Sequence, residues 1–201
     1  MICAVALVLL VDVSGSVRPE NHRLQRAGIA AALREPAMAR IVESQPPLAL
    51  TVIEWDSAQA VVLPWQRLAS RADLHQAAAR LDAESAPPRA GSHGSTHVGA
   101  ALAAAIEVLA QPPCAPERQV IDVSGDGASN GGPDPAEVRD RAAALGITVN
   151  GLPIVTSSEP TIADWYARNV VTEDGFLLAA AGFPDVARAL RRKLVLEVAG
   201  L

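Results

Sequence analysis

An unbroken apolar run, Ile2 to Val11, opens the chain and reads as a strand buried on both faces. The polar stretch Asp12-Val13-Ser14-Gly15-Ser16 follows directly, so a carboxylate and two hydroxyls stand just past the strand's carboxyl end. Pro19–Arg34 is expected to be helical, with Pro19 suited to a first turn and Pro36 as a stop. Leu48–Trp55 and Ala60–Trp65 are further strands. The link Asp56-Ser57-Ala58-Gln59 is too short for a parallel crossover, so it predicts an antiparallel hairpin. Ser70–Glu84 is a helix whose Ser70 and Asp73 resemble a capping box, and Pro87 to Ser95 is a loop. Thr96–Ala110 is an Ala-rich helix, Gln119–Val123 a strand and Ser124–Pro133 a Gly-rich loop. Pro135–Leu145 is a helix closed by Gly146, and Ile147–Ile154 is a strand. Thr161–Arg168 is helical, Gly175–Ala179 a short last strand and Pro184–Ala199 the terminal helix.

This alternation predicts an α/β fold: a doubly wound, mostly parallel six-stranded sheet with one antiparallel edge strand, flanked by helices. No repeat, linker or low-complexity tract divides the chain, and 201 residues suit one domain, so residues 1–201 are read as a single unit. Half the residues are apolar but only 3% are aromatic, so the core must be built from Ala, Val, Leu and Ile. A net charge of -5 and a pI near 5.3 argue against a nucleic-acid partner. No apolar stretch is long enough to span a bilayer. Met1 to Leu10 lacks the basic start and the cleavage site of a signal peptide and is read as the first strand.

In sheets of this kind ligands bind beyond the strand carboxyl ends, where the strand order reverses. Oxygen-bearing side chains gather at three such places: Asp12, Ser14 and Ser16; Thr96 in Gly94-Ser95-Thr96; and Asp126 in Ser124-Gly125-Asp126-Gly127. Hard oxygens suit Mg²⁺, Mn²⁺ or Ca²⁺ and suit zinc or copper poorly. Taken alone, Asp-x-Ser-x-Ser more often caps a helix or forms an Asx turn. Gly125-Asp126-Gly127 lacks the Lys of a phosphate-binding P-loop, and the chain has no Gly-x-Ser-x-Gly nucleophile elbow. His22, His75, His93 and His97 fall at no zinc-finger spacing; His93 and His97 flank Thr96 and read as loop and helix-surface residues. Asp122, inside an apolar strand, reads as a carboxylate satisfied by neighbouring loop amides. Trp55, Trp65 and Trp165 read as packing residues.

Asp12-x-Ser14-x-Ser16, Thr96 in its Gly-Ser-Thr turn and Asp126 before a glycine together resemble the metal-ion-dependent adhesion site (MIDAS) of von Willebrand factor A domains. The order of the elements matches along essentially the whole chain. Within that superfamily the chain is similar to a bacterial group of uncharacterised proteins, through Ile53-Glu54-Trp55, Pro64-Trp65, Val120 to Gly127, Ile147 to Leu152 and Arg192-Lys193-Leu194. The resemblance implies that Ser14, Ser16 and Thr96 supply hydroxyl oxygens to Mg²⁺ (Mn²⁺ or Ca²⁺ as alternatives). It implies that Asp12 and Asp126 act as carboxylates, often through water. One position would stay open for an acidic side chain of a protein partner. The loop Ala128 to Gly132 is placed to shape that opening.

The implied function is a non-catalytic, cation-dependent protein-binding module. A metal-dependent hydrolase and a metal-independent scaffold are the rival readings. In the von Willebrand A sheet the strands bearing Cys3 and Cys114 are parallel neighbours, which places both cysteines away from the metal end. They either form a disulfide, implying a periplasmic or secreted protein, or remain a buried free Cys3 and an incidental Cys114, which leaves a cytoplasmic location open.

Overall fold

β1 (Ile2–Asp12) is central because both its faces are apolar: Val5, Leu7, Leu9 and Val11 point one way, Ala6, Val8 and Leu10 the other. The computed structural model describes residues 1–83 and 94–200. Glu84 and the segment from Pro87 to His93 lie outside them. β1 pairs in parallel with β2 (Leu48–Trp55) on one side and with β4 (Ala115–Gly125) on the other. β3 (Gln59–Leu68) lies antiparallel to β2 as the outer hairpin strand, and β5 (Ile147–Pro153) pairs in parallel with β4. The order is β3-β2-β1-β4-β5.

One face of the sheet is covered by α1 (Pro19–Leu33), α2 (Pro36–Ser44), α3 (Arg71–Ala83) and α7 (Val186–Ala199), through Ile29, Leu33, Met38, Leu74, Leu190 and Leu194. The other is covered by α4 (Val98–Leu109), α5 (Pro135–Ala144) and α6 (Ile162–Asn169), through Leu102, Val138, Ile162 and Tyr166. Among the described residues no helix is long and apolar enough to cross a membrane.

Several expectations change. The sheet has five strands, not six. Phe176 to Ala180 exchanges backbone bonds with β5 and beyond only as isolated bridges, Gly151 to Leu177 and Ile154 to Ala180. Pro153 has no N–H to donate, and the Phe176 amide is turned to the Asn150 side chain at 2.9 Å, so no continuous ladder forms. Pro36 does not only stop α1: it occupies the first turn of α2, where its missing N–H costs nothing. α4 begins at Val98, so Thr96 precedes the helix rather than opening it. The Ser70 cap forms as expected, with the Asp73 amide donating to Ser70 Oγ at 3.2 Å and the Ala69 amide to Asp73 Oδ2 at 3.0 Å.

Asp122 is not satisfied by loop amides. Its Oδ1 lies 2.7 Å from Lys193 Nζ of α7, which also reaches Glu197 Oε1 at 2.5 Å. Asn150 Nδ2 donates to the same Glu197 oxygen at 2.9 Å, and the Phe176 ring lies 5.0 Å from the ammonium. Asp122, Lys193 and Glu197 are all buried. His22 is also buried, set 2.5 Å from Glu54 Oε1, the same oxygen that Arg26 Nε reaches at 2.6 Å. Trp55 is fully buried in the α4–α6 core, while Trp65 and Trp165 pack against that core partly buried. Cys3 and Cys114 form a disulfide, at the end of β1 remote from Asp12.

Candidate metal centre

β1 and β4 run side by side, and their carboxyl ends deliver Asp12 and, one residue past β4, Asp126 to the same place. Past Asp12 the chain turns sharply. The Ser14 amide donates to Asp12 Oδ1 at 2.7 Å, an Asx turn, and the Val17 amide closes on the Ser14 carbonyl at 2.9 Å. The turn is held from behind by Gln25 of α1, whose Nε2 donates to the Asp12 carbonyl at 2.9 Å. Ser16 Oγ donates to Asp126 Oδ1 at 2.6 Å, and the Ser14 and Ser16 hydroxyls are 3.3 Å apart. The first and third oxygen-bearing loops thus touch.

Thr96 comes from the second loop. A Cβ on Gly15 would stand 2.7 Å from Gly94 Cα, so the first and second loops approach closely only because position 15 is glycine, while Gly94 takes a left-handed φ of +74°. The Thr96 backbone is clasped by the loop after Asp126. Its amide donates to Asn130 Oδ1 at 2.7 Å, and its carbonyl accepts from the Asn130 amide at 2.9 Å and from Ser129 Oγ at 3.2 Å. Ser16, Thr96 and Asp126 line one cleft of about 220 Å³, together with Gly94, Gly127, Ala128, Asn130, Ser158 and Glu159. His97 packs on Gly131 and Gly132.

The electrostatics of the pair are unusual. Burial pushes the Asp12 carboxyl up to about 7; its bonds from Ser14 oppose this and the charge of Asp126 adds to it. Burial also raises Asp126 above the ordinary carboxylate range, against the bond from Ser16. Asp12 Oδ2 is buried without a hydrogen-bond partner among the described residues, as is the Tyr166 hydroxyl. A Cβ on Gly125 would lie 2.6 Å from that hydroxyl and 2.7 Å from Asp12 Oδ2, so Gly125 leaves the room between them. Among the described residues neither Asp12 nor Asp126 is paired with a Lys, Arg or His, and no three His, Cys, Asp or Glu side chains gather as a metal site. The donor set is two carboxylates and three hydroxyls, all hard oxygens. An unpartnered buried carboxylate oxygen fits a divalent cation of the Mg²⁺ type.

The spacing of polar residues in the sequence led to all five of these side chains. It did not lead to Gln25, Tyr166, Ser158 or Glu159. Gln25 and Tyr166 read as ordinary helix positions, and Ser158 and Glu159 lie in a polar loop with no motif.

A doubly wound sheet with these loops at its β1/β4 end defines a von Willebrand factor A-like domain. The chain belongs to the family described as "Protein of unknown function (DUF1194)", which matches residues 2–201. No curated protein matches the chain. The fold is similar to that of proximal thread matrix protein 1 from the mussel byssus, with a TM-score of 0.70 and 17% identity over 98% of this chain and 48% of that one. The chain therefore spans about half the length of the mussel protein, 48% of it in that crystal form. A structure of the same mussel protein with a zinc-occupied MIDAS motif gives a TM-score of 0.63, 17% identity and coverage of 98% and 46%. The von Willebrand domain of the type V pili tip protein Mfa5 from Porphyromonas gingivalis gives 0.64, 11% identity and coverage of 98% and 96%. At these identities the likeness is one of fold.

Proposed function

We propose that this domain is a non-catalytic recognition module that holds a divalent cation at Asp12, Ser14, Ser16, Thr96 and Asp126 and so binds an acidic side chain of a protein partner. The observation that carries this reading is a pair of buried carboxylates, Asp12 and Asp126, set among the hydroxyls of Ser14, Ser16 and Thr96 and paired with no Lys, Arg or His among the described residues; Asp126, Ser16 and Thr96 line one cleft. Ser14, Ser16 and Thr96 offer neutral oxygens, while Asp12 and Asp126 carry the charge. A bound cation would supply a positive, oxygen-seeking centre with a position free for an external carboxylate. The all-oxygen set favours Mg²⁺, with Mn²⁺ or Ca²⁺ as alternatives. The zinc in the mussel MIDAS supports a divalent cation in general.

A byssal matrix protein and a pilus tip protein as fold neighbours support recognition rather than catalysis. Together with the Cys3–Cys114 disulfide they also support a periplasmic or secreted location. We take residues 1–201 as one such domain.

Calorimetric titration tests the reading. Wild type is expected to take up Mg²⁺ or Mn²⁺, and Asp12→Ala to lose that uptake. At a cation concentration 100 times Kd the wild type should gain about 2.7 kcal/mol of stability that the variant does not. If neither ion binds wild type, the reading fails.

A further inference from the structure

The connection between β5 and α6 closes one side of the cleft, placing Ser158 and Glu159 on its wall beside Ser16, Thr96, Asp126 and Asn130. The turn that carries Glu159 is tied down. Its amide donates to the Thr156 carbonyl at 3.2 Å and is 3.3 Å from Thr156 Oγ1. The Thr156 and Ser158 hydroxyls share a hydrogen bond of 2.9 Å, and the Glu159 carbonyl accepts from the Ile162 amide at 3.4 Å. Glu159 is half-buried, and its carboxylate has no hydrogen bond or ion pair among the described residues.

Charge counting gives this residue a consequence. Asp12 and Asp126 together balance one divalent cation, so among the described residues Glu159 stands in excess. A cleft of 220 Å³ is small against a Debye length of about 8 Å at physiological salt, so whatever enters it feels that charge. A partner carboxylate arriving alone meets a negative group that no described residue compensates. A partner that brings a basic side chain beside its carboxylate pairs that base with Glu159 instead.

We propose that Glu159 determines the class of partner: an acidic side chain for the cation with a Lys or Arg next to it for Glu159. This rests on the cation reading of the site. Because the turn is pinned by its own hydrogen bonds, little ordering remains to be done when the base arrives.

The test is selection of a random peptide library displayed on phage against immobilised protein in Mg²⁺, with elution by EDTA. Mg²⁺ titrations of the same proteins run in parallel. Peptides from wild type are expected to carry an acidic residue with Lys or Arg within about three positions, enriched about three- to tenfold over the library. Glu159→Gln should keep the acidic residue and lose the basic preference, and Glu159→Lys should replace it by a second acidic residue. Equal basic enrichment in wild type and Glu159→Gln overturns the inference, and so does a wild type that binds Mg²⁺ but yields acidic peptides without a base or no EDTA-eluted peptide. A wild type that takes up no Mg²⁺ removes the cation reading and this inference with it.

Discussion

Two pairs of buried carboxylates sit along the same sheet, and they differ in one respect. Asp122 and Glu197 enclose Lys193, which lies 2.7 Å from one and 2.5 Å from the other. Among the described residues Asp12 and Asp126 enclose no Lys, Arg or His. Burying negative charge is costly wherever it occurs, and a positive charge close by is the usual remedy. Where the chain supplies that charge from α7, the cluster joins the terminal helix to β4 and β5 and is a matter of structure. Where no described residue supplies it, the carboxylates are open to the cation from solvent proposed above. The contrast separates a core ion cluster from the proposed binding site more sharply than burial or polarity, since all four carboxylates are buried.

Removing the cation from the first pair should have the largest effect. Lys193→Met leaves two buried carboxylates facing each other and is expected to cost about 3–5 kcal/mol in chemical denaturation. Its cation uptake at the other pair should persist under folding conditions. A loss below about 1 kcal/mol, in the range of an exposed ion pair, would show that the two pairs are not different in kind.

Crowding the second pair should cost less. Gly125→Ala places a methyl against Asp12 Oδ2 and the Tyr166 hydroxyl, both of which must shift. About 1–3 kcal/mol of stability should be lost, with Mg²⁺ uptake weakened as well. Unchanged uptake would mean that Asp12 takes no part in holding the ion.

The third effect is a slope with pH. Two carboxylates around one ammonium leave one charge too many. Burial, with Asp122 beside it, pushes Glu197 up to about 7, against the pull of Lys193 and Asn150. The folded state therefore holds this proton more tightly than the unfolded chain, whose Glu ionises near 4.5. That contribution to stability is complete below about 4.5 and is lost as pH rises through about 7. Denaturation midpoints measured across that window should fall less in Glu197→Gln than in wild type. An identical slope in both would place the proton elsewhere.

Much of this was legible before the fold was known. The apolar run Ile2 to Val11, the short Asp56 to Gln59 link and the Ser70–Asp73 cap are local patterns, and each formed as its spacing implies. Asp12, Ser14 and Ser16 announce themselves by spacing, and Thr96 and Asp126 by their glycine-flanked turns at element ends. Asp122 misled because a lone carboxylate in an apolar strand carries no sign of its partner. The sixth strand misled because Gly175 to Ala179 has strand composition, yet the residue opposite is Pro153, which cannot donate to a ladder.

The sequence by itself determined the α/β alternation apart from α2 and the supposed sixth strand, the antiparallel hairpin and the five oxygen-bearing side chains placed at element ends. These follow from periodicity and turn chemistry within a few residues. Only the tertiary structure decided that Lys193 lies under Asp122, that Cys3 meets Cys114 and that Glu159 stands on the wall of the cleft. Those pairings depend on strand register and on how helices seat across the sheet, and no local pattern records them. That no basic side chain among the described residues pairs with Asp12 or Asp126 belongs to this second group, because it depends on which helices and loops pack around the two carboxylates.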